Sequence, residues 1–153
     1  MSVLYTERDG HLSVSITVLG EPVAQGRPRF AKRGSFVTAY DPPQSAKYKN
    51  TIRQELLPLI ANKDFKSFDG PCSLELHVYR SIPKSFGRKK QFAAANGEIR
   101  PTTRPDTDNY VKGILDALNG IVVKDDSQIV DIVAQKFYSD TPRIDIVITR
   151  LME

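Results

Sequence analysis

Polar and apolar positions alternate over residues 11–20, with Leu12, Val14, Ile16 and Val18 on one side of an extended chain and polar residues on the other. That period of two predicts a half-buried strand ending at Gly20. It recurs over residues 72–83 through Leu74, Leu76 and Val78, and two further strand patterns span 129–139 and 142–151, joined around residues 140–142. Two segments switch to a helical period. In residues 44–60, Tyr48, Ile52, Leu56 and Leu59 recur at helical spacing; Pro42 and Pro43 suit the start, and Pro58 ends or kinks the helix. In residues 107–120, Val111, Ile114, Leu115 and Leu118 stand at i, i+3, i+4 and i+7, closed by Gly120 just past the helix end.

The remaining segments show no sustained period. Residues 121–123 predict a short strand and 124–128 a turn. Residues 21–43 read as a long basic loop punctuated by Pro and Gly, with short strand pairing around Phe36 and Val37; so long a loop in a compact domain is usually functional or mobile. Residues 62–71 are a connector, and 84–105 form a second basic segment with a short helix over 89–95. No internal repeat, low-complexity tract or linker interrupts the chain. The order of elements predicts one α+β domain over residues 1–153, with a mixed β-sheet and two main helices.

Composition narrows the chemistry. Hydrophobic residues make up 40% and charged residues 26%, as in soluble globular proteins. No apolar run reaches the roughly 20 residues that span a bilayer, and the N-terminal MSVLYTERDGHLS is too charged and polar for a signal peptide. Cys72 is the single cysteine, which fits a reducing cytoplasm and argues against a cysteine-based metal site. With only His11 and His77, the chain is poor in zinc ligands, so a bound metal would be hard and oxygen-ligated.

Net charge is +4, and its distribution matters more than its size. Residues 20–50 hold Arg27, Arg29, Lys32, Arg33, Lys47 and Lys49 against Glu21 and Asp41. Residues 80–104 hold Arg80, Lys84, Arg88, Lys89, Lys90, Arg100 and Arg104 against Glu98. These segments are either solvated surface or two arms that neutralise phosphates. Against this background the carboxylates concentrate in RPDTDNYVKGILDALNGIVVKDDSQIVD: Asp106, Asp108, Asp116, Asp125, Asp126 and Asp131. Ordinary roles account for several. Thr107 or Asp108 can cap the helix, Asp116 can pair with Lys112, and Asp125–Asp126–Ser127 can form a turn. Capping needs only one acceptor, however, and Asp106 and Asp108 are two. If residues 121–124 return along the helix, the turn carrying Asp126 approaches the helix start and three carboxylates converge. Such a cluster is relieved by Mg²⁺ or by raised pKa values. A carboxylate-held Mg²⁺ beside basic arms suits phosphodiester hydrolysis, with Lys112 placed to offset transition-state charge or orient water.

These residues resemble the RusA family of Holliday-junction resolvases of bacteria, their phages and prophages. The resemblance covers most of the chain and is strongest over residues 104–138. It rests on Asp106-x-Asp108-Asn109, Lys112, Asp116-Ala117-Leu118 and Asp125-Asp126-Ser127-Gln128, with GEPVAQGRPRF similar to the family's opening strand and basic loop. It implies a dimerising fold and a homodimer that makes paired symmetric nicks in four-way branched DNA, in recombination and repair. It also implies Mg²⁺ as cofactor, with Mn²⁺ as substitute. The catalytic carboxylates fall on Asp106, Asp108 and Asp126 as metal ligands, with Lys112 as base or electrophile and Asp116 and Asp125 in support. Arg27, Arg29, Lys32, Arg33, Lys89, Lys90 and Arg104 are the candidate DNA contacts. Phe30 or Phe36 is placed either to stack at an opened junction or to pack in the core. Two other classes compete: a non-catalytic branched-DNA-binding protein, and a small-molecule phosphohydrolase, which would not need two basic segments.

Overall fold

The computed structural model describes residues 2–151. A five-stranded sheet carries the fold. Its strands are β1 (Ser2–Arg8), β2 (His11–Leu19), β5 (Cys72–Ser81), β6 (Ile129–Ser139) and β7 (Arg143–Arg150), in the spatial order β1-β2-β7-β5-β6. All neighbours are antiparallel except β5 and β6, which run parallel, so the sheet is mixed and the class is α+β. A separate two-stranded hairpin pairs β3 (Arg29–Arg33) with β4 (Phe36–Tyr40), confirming strand pairing at Phe36 and Val37.

The alternation in the sequence translates directly into one buried face. Val14, Ile16 and Val18 on β2, Leu74, Leu76 and Val78 on β5, and Ile144, Ile146 and Ile148 on β7 are almost wholly buried. Antiparallel pairing sets Ile16 beside Ile146 and Leu76 beside Ile146 from the other side, so these residues form one continuous apolar layer. Each such side chain contributes roughly 1.5–3 kcal/mol by leaving water. Ile52 on α1 (Pro43–Glu55) and Tyr110, Ile114, Ala117 and Leu118 on α4 (Thr107–Leu118) join the same core. The prolines act as the sequence suggests: Pro43 opens α1, and the helix breaks at Leu56 before the short α2 (Leu57–Ala61), which carries Pro58 in its first turn. The short helix expected over 89–95 is α3 (Arg88–Ala95). Among the described residues, no helix is long and apolar enough to cross a membrane.

Three features depart from the sequence reading. β1 is a full strand where none was assigned. It is joined to β2 by Asp9 and Gly10, both at positive φ, which is the two-residue hairpin turn that Asp-Gly favours. The buried stripe of α4 is centred on Tyr110, Ile114 and Ala117, with Val111 and Leu115 only half-buried, because the helix packs on α1 and the chain at Gln25 as well as on the sheet. Residues 121–123 make no strand back along α4. They form a tight turn past the helix end, where the Gly120 amide donates to the Val123 carbonyl and the Phe68 amide to the Val122 carbonyl. Gly120 takes the positive φ expected of a helix stop.

Candidate active site

A cleft opens where the chain enters α4. One wall is residues 24–28, and the other runs from Arg104 and Pro105 through Asp106, Asp108, Asn109 and Lys112. The entry is fixed from behind: the Lys136 ammonium on β6 donates to the carbonyls of Thr103 and Pro105. Asp106 then occupies the N-cap position with extended backbone, yet its side chain makes no capping bond. Asp108 lies in the first turn, where helix amides and dipole favour negative charge. Neither carboxylate enters an ion pair among the described residues. Lys112, one turn on, is exposed and pairs with neither Asp108 nor Asp116. Arg27 and Arg104 complete the cleft, so two unneutralised carboxylates share it with three cations.

The opposite wall is held by groups that the sequence reading did not single out. The Gln25 amide donates to the Asn109 carbonyl on α4 at 3.1 Å. This close approach is eased by Gly113, since a Cβ there would lie 3.2 Å from the Gln25 nitrogen and the chain would have to give by a few tenths of an ångström. On α1, the Ser45 hydroxyl accepts from the Gly26 amide and donates to the Ala24 carbonyl. Lys49 is only 7% exposed and donates to Asp41 at 2.7 Å and to Asp116 at 3.3 Å. Asp41 in turn accepts from the Gln25 side-chain amide. The Lys49 hydrogen bond holds the Asp41 carboxyl below its ordinary range, with the Gln25 bond acting in the same sense and partial burial opposing. Asp116 therefore pairs with Lys49 rather than with Lys112, and Arg53 adds a bond to the Asp116 carbonyl. One sequence signal was available: Ser45, Lys49 and Ile52 lie at i, i+4 and i+7, placing a lysine on a buried stripe.

The other expected site residues lie elsewhere. Asp125 is a turn residue: it accepts from the Ser127 amide and hydroxyl, and with Gln128 it forms a reciprocal cap on the short 3₁₀ turn Asp126–Gln128. The Ser127 bonds lower its pKa. Asp126 precedes β6 at the far end of α4. The Gln128 amide anchors that turn to the carbonyls of Phe68 and Gly70, while the α4 entry is tied to Lys136, and the stretch of β6 from Ile129 to Lys136 alone covers about 23 Å. The turn at residues 119–123 sends the chain into β6 from the helix's C-terminal end. Within one chain Asp126 thus does not join Asp106 and Asp108, and no group of three metal-ligating side chains forms among the described residues. Arg29, Lys32 and Arg33 stand on the exposed β3–β4 hairpin. Lys89 and Lys90 are exposed on α3 outside the cleft, with Lys90 4.1 Å from the centre of the Phe86 ring. Cys72 is buried in the core, and burial pushes its thiol pKa up.

The donors facing the cleft are oxygens, and the buried Gln25 Oε1 on its wall has no hydrogen-bond partner among the described residues. Two carboxylates with water completing the shell fit Mg²⁺, which keeps several waters and binds through one or two carboxylates. Residues 20–149 match the model of the family described as endodeoxyribonuclease RusA. The chain is also 45% identical over 137 residues to a protein of Bacillus subtilis (strain 168) called "Uncharacterized protein YqaN", covering 88% of this chain and 94% of that protein. The cleft thus sits within a matched region that spans most of the sequence, and the chain belongs to the RusA endodeoxyribonuclease family.

Proposed function

We propose that this protein is a Mg²⁺-dependent, structure-selective endodeoxyribonuclease that resolves four-way DNA junctions by paired nicks in the cytoplasm. The observation that carries this reading is the pair Asp106 and Asp108, in no ion pair among the described residues although the same cleft holds Lys112, Arg27 and Arg104. Carboxylates left unneutralised where a polyanion must approach would repel it, so a pure DNA binder gains nothing from them. As metal ligands they have a purpose. A bound Mg²⁺ would contribute Lewis acidity at the phosphoryl oxygen and a lowered pKa for a water. Asp106 and Asp108 hold that charge at a helix N-terminus. Lys112 offsets the negative charge that develops on the phosphorane-like transition state. Arg27 and Arg104 position the phosphate from opposite walls.

The reading includes a two-fold homodimer, because a junction offers two equivalent strands to nick. The edge strand β6 supports it. Val130, Ile132 and Val133 are exposed there, and an open apolar edge is a template for another strand. Antiparallel pairing of two β6 strands would set the start of one strand, next to Asp126, against the far half of the other, which carries Lys136. Lys136 anchors the entry to Asp106. Such a dimer would give each cleft its third carboxylate from the other copy.

The test is incubation of purified protein with a labelled synthetic four-way junction, a linear duplex of the same sequence and a small phosphate ester, each with and without Mg²⁺. Symmetric nicks in the junction alone, only with metal, support the reading. Equal cutting of the duplex, or turnover of the ester, refutes it.

A further inference from the structure

The β3–β4 hairpin shares no strand pairing with the main sheet and exposes nearly every residue. Phe30 is 70% and Phe36 is 74% exposed, so neither is a core residue. Residues 27–40 contain four basic side chains and no acidic one, and Arg27 and Pro28, just before β3, line the catalytic cleft. The hairpin is therefore a cationic arm rooted at the cleft, about 17 Å long for five extended residues.

Its register separates two faces. Arg29 opposes Tyr40, Ala31 opposes Thr38 and Arg33 opposes Phe36, so these six share one face; Phe30 and Ala39, with Lys32 and Val37, share the other. The first face sets an arginine opposite an aromatic ring at each end, Arg29 with Tyr40 and Arg33 with Phe36, with Ala31 and Thr38 between them. Among the described residues, no ring or cation covers Phe36 or Tyr40. An uncovered Phe36 ring beside Arg33, with Arg29 further along the same face, fits a base whose own face is open and whose neighbouring phosphates the arginines can reach. Stacked duplex offers no such base; an unpaired nucleotide at a branch point does.

We propose that the Arg29–Arg33–Phe36–Tyr40 face of this arm reads the branch point, with Phe36 stacking on an unpaired base while the arginines take the neighbouring phosphates. This rests on the DNA-cleaving reading above and adds the element that selects branched over linear DNA.

The experiment measures binding without cleavage, in an Asp108→Asn background. It uses a four-way junction carrying 2-aminopurine at the branch point and a matched linear duplex. Phe36→Ala is expected to lose about 5- to 150-fold in junction affinity, the range for one aromatic–base stack, and to abolish the 2-aminopurine response while duplex binding changes less than about twofold. Phe36→Tyr should restore both. Phe30→Ala, on the opposite face, should leave both substrates bound as before. Equal effects of Phe36→Ala and Phe30→Ala, equal loss on junction and duplex, or a shift from dimer to monomer with junction affinity unchanged would overturn the proposal. If the unsubstituted protein cuts junctions but Phe36→Ala keeps its selectivity, only the arm's role fails. If it binds junctions through Phe36 but never cuts them, the nuclease reading fails and the arm's role stands.

Discussion

Replacing Lys49 with methionine tests how the cleft wall is held. Methionine keeps most of the side-chain volume and removes only the ammonium, so Asp41 and Asp116 are left facing each other without their shared cation. Removing one partner of a fully buried pair costs about 3–5 kcal/mol, and an exposed pair is worth at most about 1. Lys49 is nearly buried, but the Asp41 and Asp116 side chains are 37% and 35% exposed, so water screens the loss. The expected destabilisation is therefore about 1–3 kcal/mol by urea denaturation at pH 7. The pH dependence follows from the depressed Asp41 pKa. A carboxylate held below its unfolded value of 3.8 adds stability above that pH, and the contribution is lost as pH falls through the folded value. The gap between Lys49→Met and the unsubstituted protein should thus be constant near neutrality and narrow below about pH 4. A loss under about 0.5 kcal/mol, or a gap that widens in acid, would refute the proposed clasp.

Gly113→Ala should gain helix propensity of about 1 kcal/mol yet shift the Gln25 chain by a few tenths of an ångström against α4, so unfolding stability changes by less than about 1 kcal/mol while junction cleavage falls by about 3- to 10-fold in a single-turnover assay. Lys112→Ala should lower the cleavage rate by about 100-fold or more with junction affinity changed less than about threefold in filter binding. Mixing Asp108→Asn with Asp126→Asn subunits, each inactive alone, should recover nicking of one strand if Asp126 acts across the dimer; no recovery would place Asp126 in its own chain's site, and full activity of Asp126→Asn alone would place it outside catalysis. Cys72 should resist thiol reagents until the protein unfolds, as followed by mass spectrometry, because the thiol is buried and its pKa raised.

The sheet was legible because one face is buried and the other is not: Val14–Ile16–Val18, Leu74–Leu76–Val78 and Ile144–Ile146–Ile148 carry that difference as a period of two. β1 is an edge strand with weaker alternation, and its clearest sign was Asp9–Gly10. The offset stripe of α4 reflects contacts made by small residues, Gly113 and Ala117, which a hydrophobic period does not weight. Asp106, Asp108 and Lys112 were readable because helical spacing alone puts them on neighbouring turns. Gln25, Asp41 and Lys49 meet only through the tertiary fold, and no local spacing announces them. The position of Asp126 depended on whether residues 121–124 return along α4. That was decided by the Phe68–Val122 pairing, a contact distant in sequence.

If Asp108 serves the chemistry of the cleft and not its grip on DNA, its loss should separate cleavage from binding. Single-turnover cleavage and equilibrium binding of one four-way junction by Asp108→Asn test it together. The cleavage rate should fall at least about 1,000-fold, some 4 kcal/mol of transition-state stabilisation, with a dissociation constant within about threefold. Cleavage that survives in Asp108→Asn, or a loss of cleavage matched by an equal loss of binding, would contradict it.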